Sequence, residues 1–145
     1  MSFYDLPKDW ARRAITDPQI FTDVVDLFAT DADRAAGAVY VVLCGPTRRV
    51  IQPCTVPELP GEPVEDRGRY FLPFAHAIAG SGGGLVVVIA RPGRARVIDS
   101  DRLWHHAAVE TCRNSGVELF AAAIATPHGV VRLPDPEAEA EAIPA

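Results

Sequence analysis

The chain lacks most of the features that assign a chemistry at sight. Its three cysteines, Cys44, Cys54 and Cys112, are an odd number with no Cys-x-x-Cys pair. That pattern fits neither a disulfide framework nor a zinc knuckle, and it suits a reducing compartment. No apolar run approaches the roughly 18 residues of a membrane span. The opening MSFYDLPKDW carries acids and a proline where a secretory signal needs a basic and then an apolar segment, so the expected location is the cytoplasm, away from membranes. Lysine is almost missing: all but Lys8 of the 14 basic residues are arginine. With abundant alanine and proline, this is the pattern of GC-rich coding, and arginine number alone therefore marks no site. A basic excess is missing too. The net charge of −5 falls to −1 without Asp135, Glu137, Glu139 and Glu141 of the last eleven residues. A nearly neutral body does not favour general nucleic-acid binding.

What is present reads as one globular domain, residues 1–134, followed by an acidic, alanine-rich tail, 135–145, expected to be disordered. Its most informative stretch runs from Leu85 to Cys112. Leu85 to Ala90 is an unbroken, β-branched apolar run between Gly82-Gly83-Gly84 and Pro92-Gly93, which predicts a central strand covered on both faces. A helix is predicted from Asp99, as N-cap, to a left-handed glycine cap at Gly116. At about 100° per residue, Trp104, Ala107, Ala108, Thr111 and Ser115 share one arc, while Arg102, His106 and Arg113 lie opposite.

Upstream, Asp17 and Pro18 are placed to start a helix carrying Ile20, Val24, Leu27 and Phe28 on one stripe. A short helix around Trp10 to Ile15 is expected before it, and Thr30 to Asp33 breaks the pattern. Ala38 to Cys44 and Val50 to Val56 predict a hairpin turned at Gly45-Pro46-Thr47-Arg48, with the second strand more exposed. Pro57 to Gly68 reads as a surface loop. A helix follows from about Pro73, with Phe74, Ala75 and Ile78 inward. A last hairpin, Val117 to Ala125 and Val130 to Leu133, turns at Thr126-Pro127-His128-Gly129. The order α-β-β-α-β-α-β-β implies an α/β (α+β) fold: one mixed sheet with flanking helices.

This order resembles the JAB/MPN metalloprotease fold, in particular its bacterial RadC-like branch. In that family a hairpin and a helix precede a strand ending His-x-His-Pro, then a loop, a Ser-x-x-Asp and a helix. Here the strand ends Ile89-Ala90-Arg91-Pro92 and the helix opens Ile98-Asp99-Ser100-Asp101. The resemblance spans about Gly37 to Leu133. It places the zinc-binding histidines on Ile89 and Arg91, the serine on Ile98 and the aspartate on Asp101. The first two cannot bind a metal, and the general-base glutamate has no counterpart, because the first glutamate of the chain is Glu58. The resemblance therefore implies a member stripped of its metal site, with no catalytic residue, metal ligand or cofactor to assign.

Other constellations give little. Asp101, His105, Ala108 and Cys112 share a helical stripe, but His105 and Cys112 are about 10 Å apart along the axis, too far for proton transfer. An Asp101–His105 contact on the helix surface is the expectation. His76 meets His105 and His106 only through tertiary packing, and His128 sits in a turn. Gly80-Ser81-Gly82-Gly83-Gly84 follows a helix and leads into a strand, the reverse of a phosphate loop, so it reads as a connector. The deaminase signature is absent. The Arg91-Pro-Gly-Arg94-Ala-Arg96 loop is different, because it leaves the carboxyl end of a central strand, where α/β sheets bind ligands. Arg91, Arg94 and Arg96, with Asp101 and His105, are the candidate ligand-binding residues; the plain alternative is a solvated loop partly paired with Asp99 and Asp101. Three functions follow: a non-catalytic module binding a protein partner or forming a homodimer, an anion-binding module using the arginine loop, and a hydrolase built around Asp101, His105 and Cys112.

Overall fold

The computed structural model describes residues 7–57 and 67–134. The expected tail and most of the Pro57–Gly68 loop lie outside them. Five strands form one mixed sheet in the order β2-β1-β3-β4-β5: β1 (Ala38–Cys44), β2 (Val50–Pro57), β3 (Gly84–Ala90), β4 (Glu118–Thr126) and β5 (Gly129–Arg132). Strand β3 is central, antiparallel to β1 and parallel to β4, while β2 and β5 are antiparallel edges. Helices α1 (Phe21–Phe28), α2 (Asp31–Ala36), α3 (Leu72–Ile78) and α4 (Asp99–Ser115) complete the α+β fold.

Period-two alternation sorts the sheet's side chains between two cores. Tyr40, Val42, Val86, Val88, Ala121, Ala123 and Ala125 meet Phe21, Val24 and Val25 of α1. Val39, Val41, Leu85, Val87, Ile89, Ala122 and Ile124 meet Phe71 and Ala75 beside α3 and Trp104, Ala108 and Cys112 of α4. Both faces of the sheet are therefore helix-covered, and all seven residues of β3 are buried. At about 1.5–3 kcal/mol per large apolar side chain removed from water, this strand is a principal source of stability. The alanines of β4 leave room for helices on both sides.

Among the described residues the predicted elements are present, with three changes ahead of β1. The first concerns Asp17, which caps a turn rather than starting a helix. Its carboxylate accepts from the Gln19 amide at 2.9 Å and its carbonyl from Ile20 and Phe21, and α1 begins only at Phe21. Secondly, Trp10–Arg12 is a single 3-10 turn, with Trp10 edge-on to Phe28 at 6.1 Å between ring centroids. The third change lies at Thr30–Asp33, read as a break, which opens helix α2: Thr30 caps it by accepting from the Asp33 amide at 3.1 Å.

The glycine run between α3 and β3 is a connector held by close packing. A Cβ on Gly84 would lie 2.3 Å from the Glu118 carbonyl and 2.9 Å from the Phe120 ring, and one on Gly83 would lie 2.2 Å from the Cys44 carbonyl. At the end of α4, Gly116 has φ 68°, and the Val117 amide returns to the Cys112 carbonyl at 2.9 Å, as the predicted left-handed cap requires. Gly84→Ala should prise β3 from β4 and lower stability by about 3 kcal/mol or more. Gly116→Ala, where nothing lies within 4 Å of the new methyl, should cost only about 1 kcal/mol of left-handed strain. Urea denaturation of both variants checks the contrast, and equal losses would refute it.

Candidate functional site

The arginine loop joins β3 to α4 at the carboxyl end of the parallel pair β3/β4. The Arg91 amide extends that ladder by one bond, donating to the Ala125 carbonyl at 3.0 Å. As an odd-numbered residue, Arg91 points to the same face as Ile89, toward α4. There Nε donates to Asp101 Oδ1 and Nη2 to Oδ2, both at 2.8 Å. Its remaining donors go to the loop itself: Nη1 to the Pro92 and Arg94 carbonyls at 2.9 and 3.4 Å, and Nη2 to the Arg96 carbonyl at 2.6 Å. Each of the five guanidinium N–H groups thus has an internal acceptor.

Asp101 is completely buried. Besides the fork from Arg91, its Oδ2 accepts from the Ile98 amide at 2.9 Å, so this carboxylate, three residues into α4, caps the helix from inside. Asp99, expected as the N-cap, is instead the first helical residue and pairs on the surface with Arg102 at 2.8 Å. The Asp101–His105 contact expected on the helix surface is corrected as well: both side chains are buried, and Asp101 is taken up by Arg91 and Ile98. The structure therefore divides the five candidate residues. Arg91 and Asp101 form a bidentate staple, His105 is buried in α4, and of the five only Arg94 and Arg96 are exposed.

A second buried arginine, which sequence reasoning missed, works on the opposite face at the same end of the sheet. Arg34 of α2 donates from Nε to the Ala29 carbonyl at 3.0 Å, from Nη1 to the Thr126 carbonyl at 3.1 Å, and from Nη2 to Asp26 Oδ1 at 2.6 Å. Beside it the Tyr40 hydroxyl donates to Asp33 and accepts from the Thr30 amide. Burial first, and then the bond to Asp33, raise the Tyr40 pKa. No periodicity signals such a residue, since an Asp-Ala-Asp-Arg segment reads as exposed.

Of the three residues of the hydrolase reading, Asp101 is engaged by Arg91 and the Ile98 amide. Cys112 is buried and its thiol is pushed up to about 11, while Cys44 is pushed up to about 12; burial is the cause in each case. A thiol held protonated is a poor nucleophile. His76, His106 and His128 are all exposed, on α3, on α4 and in the β4–β5 turn. Among the described residues no group of three or more His, Cys, Asp or Glu side chains could hold a metal ion. An open depression of about 370 Å³ lies between Gly68 and the outer side of α4, lined by Leu103, His106, Ala107, Glu110 and Thr111 among others. It shares no residue with the arginine loop. Among the described residues no helix is long and apolar enough to cross a membrane.

Comparison with protein-family models, curated proteins and solved structures gives no match.

Two tests follow. Asp101→Asn keeps the shape but removes the charge facing a guanidinium whose side chain is 12% exposed, so it should cost about 3 kcal/mol or more in urea. In a double-mutant cycle, Arg91→Met should cost far less when combined with Asp101→Asn than in the wild type; additive losses would show that the pair is not coupled. For the thiols, the partly exposed Cys54 should react with an aromatic disulfide in the native protein, with Cys44 and Cys112 reacting only after denaturation. Both buried thiols ionise later folded than unfolded, so the stability they carry is whole below 9.0 and lost as pH rises toward 11 and 12. Thermal melts from neutral to strongly alkaline pH should show this slope, and Cys44→Ala with Cys112→Ala should flatten it.

Proposed function

We propose that this chain is a non-catalytic, JAB-like domain that works in the cytoplasm as an interaction module, binding a second copy of itself or a protein partner. The observation that carries the reading is the Arg91–Asp101 staple. Where the family resemblance places two zinc-binding histidines, Ile89 lies in the core and Arg91 is locked onto the one retained ligand position, Asp101. An arginine that has closed its fork on that aspartate occupies the coordination space and keeps the strand-loop-helix scaffold in shape without a metal.

The surface supports an interaction role. Of the four exposed large apolar side chains among the described residues, Leu72, Ile98 and Leu103 belong to α3, the residue just before α4 and α4 itself, which cover one face of the sheet. Leu103, 50% exposed, also borders the depression on α4. Three free thiols are compatible with the reducing cytoplasm.

The test combines sedimentation velocity over a range of protein concentrations with elemental analysis after dialysis against zinc. Reversible self-association, or a stoichiometric complex with a partner purified alongside the chain, with zinc no higher than in the dialysis buffer, is the expected result. One zinc per chain that is lost in Asp101→Asn would overturn the reading in favour of a metalloenzyme. A chain that stays monomeric and partnerless would remove the interaction role.

A further inference from the structure

The same staple shapes the outside of the loop, whatever the family. Arg91 draws the carbonyls of Pro92, Arg94 and Arg96 toward its guanidinium. In a trans peptide the following N–H points opposite to the carbonyl. The amides of Gly93, Ala95 and Val97 are therefore turned away from Arg91, and none of the three donates to any described residue. Arg94 and Arg96 stand exposed between them.

Charge pairing leaves these two arginines over. Among Arg91 to Arg102, Arg91 is matched by Asp101 and Arg102 by Asp99, whereas Arg94 and Arg96 have no acidic partner among the described residues. The loop runs beside the β4–β5 connection, since Ala95 Cβ lies 3.8 Å from where a Cβ on Gly129 would be, next to the exposed His128. The feature sits beyond the carboxyl ends of β3 and β4, the position where open α/β sheets bind ligands.

We infer that the Gly93–Val97 loop is a binding site for the phosphate group of a small phosphomonoester, held by the Arg94 and Arg96 guanidinium groups and by outward-facing loop amides. Two unmatched guanidinium groups balance a dianion, and forked N–H donors with backbone amides suit its several oxygens. Arg91 and Asp101 are not ligands in this site. They hold the loop in the shape that makes it.

The probe is inorganic phosphate, titrated at constant ionic strength into the full chain and followed by amide nitrogen–proton correlation spectra. Saturable shifts centred on Gly93, Ala95 and Val97 are expected, with phosphate binding about tenfold or more weaker in R94Q/R96Q. That variant should fold normally, because the staple uses the carbonyls of residues 94 and 96 and not their side chains. R49Q, which removes an exposed arginine elsewhere, should bind as the wild type does. Shifts that do not saturate, that spread over the surface or that are unchanged in R94Q/R96Q would overturn the inference. Acetate binding as tightly as phosphate would overturn the assignment to a dianion.

Discussion

The bidentate pair between Arg91 and Asp101 ties together three things that the chain separates: the end of the central strand, the loop that leaves it and the first turn of the longest helix. An ion pair this enclosed gains little over an apolar substitute, because desolvating both charges offsets most of their attraction. Its value lies in direction. A guanidinium has five donors in a fixed plane, and here every one is committed, so the loop has one way to run and α4 has one place to begin. The cap follows from the same contact, since the carboxylate that receives the fork also holds the Ile98 amide.

The end of the sheet is built similarly on its other face. Arg34 reaches the Thr126 carbonyl at the end of β4 and, through Asp26 and the Ala29 carbonyl, the end of α1. Two arginines of opposite layers thus satisfy backbone carbonyls where strands stop and sheet hydrogen bonding runs out. Buried carbonyls left without donors would each cost on the order of 1–3 kcal/mol, so the buried Arg34, whose Ala29 and Thr126 acceptors lie in the interior, makes good physical sense despite its desolvation. The same geometry separates structural from surface cations: Arg34 and Arg91 are turned inward, Arg94 and Arg96 outward. A sequence rich in arginine conceals that difference.

Local rules made much of the fold legible. The apolar run of β3, the apolar strand β1 with its more exposed hairpin partner β2, the small-residue arc of α4 and the glycine at its end each follow from burial, period or backbone sterics within a few residues. They agree with one another, and the mixed sheet follows from their order. The misreadings share a cause. Asp17, Asp99 and the Thr30–Asp33 cluster are all polar residues at helix starts, where several positions can donate or accept and neighbours choose among them. Asp101 is legible as a first-turn acid but not as a buried one.

Composition, the glycine positions and the alternation of apolar residues by themselves determined that this chain forms one mixed sheet covered by helices, because each acts through near neighbours. The tertiary structure alone decided what the arginines do. Whether a guanidinium is a staple or a ligand-binding group depends on where the intervening loop brings an aspartate, and on whether that loop's carbonyls turn toward it or away. Those are distances between elements, set only when the two faces of the sheet are closed.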